Sequence, residues 1–370
     1  MNKLEEKIVN KKSNTRQSNI ELLRIVAMIM IIIFHMSLTE KTMYTGSTEK
    51  KIFSIILSGL GLIGVNIFVL ITGYFQIEKE FKASKVLKIW LQTVFYSIII
   101  VFVCKYFNII KLNTKTLVFA FMPVTYSKYW FISSYILLYI FSPFINKFAK
   151  SLSKEEYKKF LILITILFSV AYTFMYHSEY SVGESNLGKL AWFAYLYLLA
   201  GYIRLYGIKF LNNKKIVLTL IIVIFTVYEL LLVIVKFANI KYIPGIFIEM
   251  NSIFVLSLAV LIFGLFKNLH IKNSKIINYF GSVTLTAYLI HENYLSRDTF
   301  WKLMSENIKI SNIDVINTFL EMIIAVTLIF AVSAILEPIR RIIEKQIFKL
   351  RCVNNGLQKI DENYIGNKTK

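Results

Sequence analysis

The chain has little of what punctuates a soluble fold or staples a secreted one. Its 370 residues hold two cysteines, four prolines, 14 glycines and four histidines. Two cysteines exclude a disulfide framework, and Cys104 and Cys352 stand too far apart in sequence for a structural zinc motif. Acid is scarce, with 22 Asp and Glu against 43 Lys and Arg. Charged residues make up only 18% of the chain, where a soluble domain carries about 25%. Too few charges remain to cover a soluble domain of this length. What is abundant is apolar: 56% of residues are hydrophobic, and apolar runs of near 20 residues recur. Runs of that length match the thickness of a bilayer core. The fold class is therefore all-α, a polytopic helical bundle of a multi-pass cell-membrane protein.

Ten spans are expected, near 20–38, 52–75, 86–104, 127–145, 160–177, 189–206, 216–236, 247–266, 276–296 and 314–337. The net charge of +21 raises the question of nucleic acid, and its distribution answers it. Six intervening or terminal segments of one side carry 29 Lys and Arg, against 13 in the five segments of the other. That asymmetry is the positive-inside pattern and places both termini in the cytoplasm. The cationic excess then serves topology and contact with anionic membrane lipids, with no nucleic-acid partner expected. The polar stretch before the first apolar run is too long for a cleaved leader, so the first helix is expected to stay. Residues 1–19 read as a basic cytoplasmic segment, 20–340 as the membrane domain, and 341–370 as a basic tail that is partly disordered. Cys104 and Cys352 fall on opposite sides in this topology and are expected unpaired.

Arg24 and His35 are the most informative pair. Both lie inside the first apolar helix, where an ionisable group costs about 2.5–3.5 kcal/mol or more at mid-membrane. Eleven residues apart, they make three turns and fall within about 20° of each other on one face, with a rise of about 16 Å. A cation near one surface and a proton acceptor deeper on the same stripe read as a reaction pathway. Taken singly, Arg24 reads equally as a snorkelling charge that sets topology, and His35 as a packed helix–helix histidine. Glu21, three residues before Arg24, is placed to pair with it.

Lys82, Lys85 and Lys88 recur every three residues at the cytoplasmic start of the third span. They share one side of a helix and would hold a phosphorylated ligand, or else anchor the inner leaflet. Trp130 begins the fourth span, where an interfacial aromatic belt is the default reading. Pro143 is expected to kink or end that helix. His291 and Glu292 lie in the outer part of the ninth span, facing either water or a polar interior. With Glu229, Glu249 and Glu321 they point to a polar vestibule that opens outward.

These residues, in order, resemble the acyltransferase-3 family of integral membrane acyltransferases. The likeness covers about residues 17–340. It rests on Arg24 and His35 in the first helix, and on Gly64-Val-Asn66 through Thr72-Gly73-Tyr74 in the second. Tyr129-Trp130-Phe131 through Ser142-Pro143, Leu199-Ala-Gly201-Tyr202, and Tyr288-Leu-Ile-His291 complete it. Thr72 stands where the family has serine, and lysines stand where it has an arginine pair, which loses bidentate phosphate geometry. The resemblance implies transfer of an acyl group, usually acetyl, from cytoplasmic acyl-CoA to a carbohydrate hydroxyl. It implies that His35 is the catalytic base or a transient acyl carrier, aided by Arg24. Acetyl-CoA or another acyl-CoA is the donor substrate, steered by Lys82, Lys85 and Lys88, and no metal is expected. Trp130, His291 and Glu292 are candidate acceptor contacts. The chain resembles the family's stand-alone kind, with no fused extracytoplasmic domain expected. A flippase for lipid-linked saccharide and a non-catalytic scaffold are the rival classes.

Overall fold

The computed structural model describes residues 16–39, 47–175, 185–238, 249–307 and 311–364. The chain is all-helical over these residues, with no strand among them, and helix covers at least part of each expected span. Among the described residues, seven helical stretches are long and apolar enough to cross a membrane. They are α1 (Ser18–Thr39), α2 (Thr48–Gln76), α3 (Ala83–Tyr106), α5 (Trp130–Ser151), the stretch beginning with α6 (Lys154–Thr165), α9 (Lys214–Phe237) and α14 (Asp314–Ile347). α6 continues through a π-helical turn, Ile166–Val170, into α7 (Ala171–Met175). The short α4 (Thr114–Phe121) precedes α5. The expected sixth span is α8 (Asn186–Tyr206), and the eighth is the shorter α10 (Ile253–Lys267).

The ninth span is broken. It forms α11 (Lys275–Ser282) and α12 (Thr284–His291), separated at Val283. A break strands backbone carbonyls that lipid cannot satisfy, so side chains must do so. The Ser282 hydroxyl donates to the Tyr279 carbonyl at 2.7 Å and the Thr284 hydroxyl to that of Gly281 at 3.0 Å. Arg341 Nη2 reaches the Ser282 carbonyl at 3.3 Å. A short α13 (Arg297–Asn307) then leads toward α14.

α1 and α2 form the centre of the bundle, with α8, α10, α11 and α12 packed around them. Two glycines make this possible. A methyl at Gly64 would come within 2.5 Å of the Ala27 carbonyl oxygen of α1. A methyl at Gly73 would come within 2.6 Å of Tyr197 Cα on α8, and closer still to its carbonyl oxygen. Both obstacles are backbone and cannot swing aside, so small residues are needed for the helices to approach this closely. Asn66 clamps the same centre: its Nδ2 donates to the Met250 carbonyl at 2.8 Å, and Trp192 Nε1 donates to its Oδ1 at 3.1 Å.

A second clamp ties α3, α12 and α14 together around buried Glu337. Its Oε2 accepts from the Thr286 hydroxyl at 2.8 Å, the Tyr96 hydroxyl at 3.1 Å and Arg340 Nε at 3.0 Å. Arg340 also pairs with Glu344. A buried charge set of this kind fixes one arrangement because a half-satisfied alternative is expensive.

Pro143 does not end its helix, since α5 runs on to Ser151. The Tyr139 carbonyl, which loses its usual donor to the proline, accepts from the Ser142 hydroxyl at 2.7 Å. Part of the expected tail is also helical: α14 reaches Ile347, and α15 covers Arg351–Asn363. Most of the N-terminal basic segment, residues 1–15, and residues 365–370 lie outside the described residues. Cys104 is buried, Cys352 is exposed, and both are free thiols.

Candidate active site

Two cavities run in series through the bundle and share four residues. The larger, about 570 Å³, opens near the starts of α1 and α3. Its wall is basic, with Arg16, Lys79, Lys85, Arg204 and Arg24. The smaller, about 300 Å³, is apolar, with Met28, Phe34, Leu62, Phe68 and Phe131 among its lining, and it contains His35. Arg24, Thr72, Ile89 and Tyr135 line both and so form the neck between them. The expected stripe is present: Arg24 and His35 both line the smaller cavity.

Arg24 does not pair with Glu21. Glu21 instead meets Arg16 at 3.5 Å and is wedged against Gly281, where an added methyl would lie within 2.7 Å of Glu21 Cβ. The reason is register: α11 crosses α1 at Glu21, which turns the carboxylate away from the neck. Among the described residues Arg24 has no ion pair, and its Nε is buried without a hydrogen-bond partner. An unpartnered guanidinium nitrogen in a protein interior calls for an acceptor, and here it lies where the two cavities meet. Beside it, Thr72 Oγ1 lies 3.2 Å from the Tyr135 hydroxyl, so threonine in place of the family's serine keeps a hydroxyl at the neck.

His35 is backed by a buried polar group drawn from the end of α12. His35 Nδ1 lies 2.8 Å from Glu292 Oε2 and 3.1 Å from His291 Nε2. His291 and Glu292 are 1% and 6% exposed, so the ninth span ends in the interior and not in water. Glu292 Oε1 accepts from Arg297 Nη1 at 2.8 Å. These contacts fix tautomers. The Ala287 carbonyl lies 2.6 Å from His291 Nδ1 and can only accept, so His291 Nδ1 carries a proton. Neutral His291 then has its lone pair on Nε2, and His35 Nδ1 supplies the proton between them. In neutral His35 the lone pair then lies on Nε2. His35, His291 and Glu292 can each offer a ligand atom within 4.8 Å of the others, a composition that can hold a divalent ion.

The remaining expected residues separate. Lys85 is half-buried in the basic cavity, with Nζ 3.0 Å from Gln76 Oε1 and 5.3 Å from the Tyr139 ring centre. Lys82 and Lys88 are exposed and do not line it, and Lys88 Nζ lies 5.2 Å from the Phe348 ring centre instead. Helical spacing of three drifts round the helix, so one lysine of the series faces inward. Trp130 lines the smaller cavity and carries Lys189 Nζ 5.0 Å from its ring centre. Sequence reasoning did not single out Arg16, Lys79, Arg204 or Arg297. Lys79 had a signal, since it extends the three-residue series one step earlier. The others come from segments whose approach only the fold shows.

Residues 17–337 match the family profile of an acyltransferase domain, acyltransferase type 3. This chain belongs to the acyltransferase-3 family. The match covers α1 through most of α14 and includes every residue of both cavities except Arg16. No curated protein and no solved structure matches the chain. In this family member the basic cavity adjoins the apolar one that holds His35.

Proposed function

We propose that the protein moves an acyl group, acetyl in the simplest case, from acyl-CoA to a hydroxyl of a cell-envelope or extracellular carbohydrate. One observation carries this reading: the basic and apolar cavities meet at Arg24, and the apolar one holds His35 with its Nδ1 side fixed. The nucleotide phosphates of the donor suit the basic cavity on the cytoplasmic side, beside Arg16, Lys79, Lys85 and Arg204. The pantetheine arm suits the neck and the apolar chamber, which bring the thioester to His35.

The chemistry then follows from the tautomer. An alcohol is a poor nucleophile until its proton is removed, and neutral imidazole suits that task near neutral pH. In direct transfer, His35 Nε2 takes the hydroxyl proton as the oxygen attacks the thioester carbonyl. The C–S bond breaks, and the proton passes to the departing thiolate. In a relay, Nε2 itself attacks the carbonyl and CoA thiolate leaves; the hydroxyl then attacks the acyl-imidazolium, the C–N bond breaks to return neutral His35, and the hydroxyl proton ends on the CoA thiol. In both routes positive charge builds on His35, and Glu292 stands beside Nδ1 to stabilise it. Arg24 stabilises the donor or the developing oxyanion in the dry neck.

The decisive comparison is the envelope polysaccharide of cells with and without the gene, examined for an O-acyl ester. Loss of one ester class in the deletion, restored by wild-type protein, is the expected result. An unchanged ester inventory together with saccharide movement across the membrane would support a flippase instead. Within the donor site, Lys85→Ala is expected to raise the KM for acetyl-CoA by about tenfold, the size of one charge-assisted contact. Lys82→Ala and Lys88→Ala are expected to change it less than twofold. Equal effects of all three would return the lysines to a membrane-anchoring role.

A further inference from the structure

The chain beyond the family's domain is built into the back of the basic cavity. The family match ends at residue 337, whereas α14 runs to Ile347 and α15 spans Arg351–Asn363. α15 has two faces. Val353, Leu357, Ile360 and Tyr364 share one side, while Arg351, Asn355, Lys359 and Glu362 fall on the other. Its last turn grips the start of α3. Lys82, at the N-cap position, makes no side-chain cap, and Asp361 supplies one from outside: its Oδ1 accepts from the Ala83 N–H at 2.6 Å. Three residues on, the Tyr364 ring lies 4.6 Å from the Phe81 ring, and its hydroxyl donates to the Ile140 carbonyl at 2.9 Å.

These contacts lead directly to the cavity wall. The Phe81 ring lies 5.3 Å from the Tyr139 ring. The Tyr139 hydroxyl accepts from the Lys82 N–H at 3.1 Å, and its ring carries Lys85 Nζ. Tyr139 and Lys85 line the basic cavity, but no residue of α15 does. The helix therefore stands behind the wall and not across the mouth.

We propose that α15, through Asp361 and Tyr364, is a positioning element for the donor site: it fixes the first turn of α3 and the Tyr139 ring, and so holds Lys85 toward the phosphates of acyl-CoA. This rests on the donor assignment made above. The helix acts by holding the wall, and none of its residues touches the ligand.

The test uses full-length protein in detergent, with coenzyme A binding measured by calorimetry and acyl transfer measured separately. Asp361→Ala and Tyr364→Ala are expected to raise the Kd for coenzyme A and the KM for acetyl-CoA by about five- to tenfold, as loss of a cap and its packing would. The kcat and the acceptor KM should stay at wild-type values. Asp361→Asn keeps an oxygen that can accept the Ala83 N–H, so it should bind like wild type. Folded Asp361→Ala and Tyr364→Ala proteins with unchanged coenzyme A affinity would overturn the proposal. So would a fall of kcat together with a rise of both KM values, which is general loosening. If the wild-type protein binds no coenzyme A, the donor assignment fails and this proposal falls with it. If wild type binds and the variants bind equally, only the positioning role fails.

Discussion

His35→Ala is expected to lower acyl transfer by about a thousandfold, the middle of the range for loss of a positioned base. The expectation follows from four contacts and not from the histidine alone. Ala287 sets the His291 tautomer, His291 and Glu292 set that of His35, and Arg297 holds Glu292 in place. Removing the imidazole abolishes both the direct and the relay route, because each uses the same Nε2. His35→Gln fills much of the same volume without a base and should be as slow, which separates lost chemistry from lost packing. Radiolabelled acetyl-CoA supplied without acceptor distinguishes the routes, since only the relay leaves label on the wild-type protein. Near-normal turnover in folded His35→Ala protein would remove His35 from the mechanism.

Much of this site was legible in the sequence because helical periodicity carries it. Arg24 and His35 share one continuous helix, so their common face follows from rise and twist, and both do line the same cavity. The lysine series was legible only in part. Spacing gave a shared side for Lys82, Lys85 and Lys88, yet the cavity takes Lys85 and adds Lys79, Arg16 and Arg204 from other elements. Periodicity within one helix says nothing about which other helix supplies the facing wall. Glu21 shows the same limit: local spacing favoured a bond to Arg24, but α11 lies against Glu21 and its neighbour Arg16 takes the carboxylate. The break at Val283 was hidden as well, since 276–296 is long enough to read as one unbroken span. Its mark in the sequence is a pair of hydroxyls, Ser282 and Thr284, that cap the freed carbonyls. α12 follows that break, and His291 and Glu292 at its end lie beside His35.

Arg24→Ala is the second large expectation, with the KM for acetyl-CoA rising by about 10–100-fold, as for loss of a charged hydrogen-bond donor. The guanidinium sits at the neck, lines both cavities, and has a buried Nε with no partner among the described residues. A fully paired arginine would be read as structural, and its removal would cost stability first. An unpaired one is held at a cost to the empty protein that a bound anion or oxyanion recovers, so its removal should cost binding or rate and little stability. The thermal midpoint of the unliganded Arg24→Ala protein should therefore match or exceed wild type, while the rise in midpoint on adding coenzyme A should shrink. Arg24→Lys keeps the charge without the fork and should fall between the two. A destabilised Arg24→Ala protein that still gains full thermal protection from coenzyme A would reverse the assignment and make Arg24 a topological charge. The combination matters more than either number, because only a ligand-facing cation is dispensable to the fold and necessary at the neck.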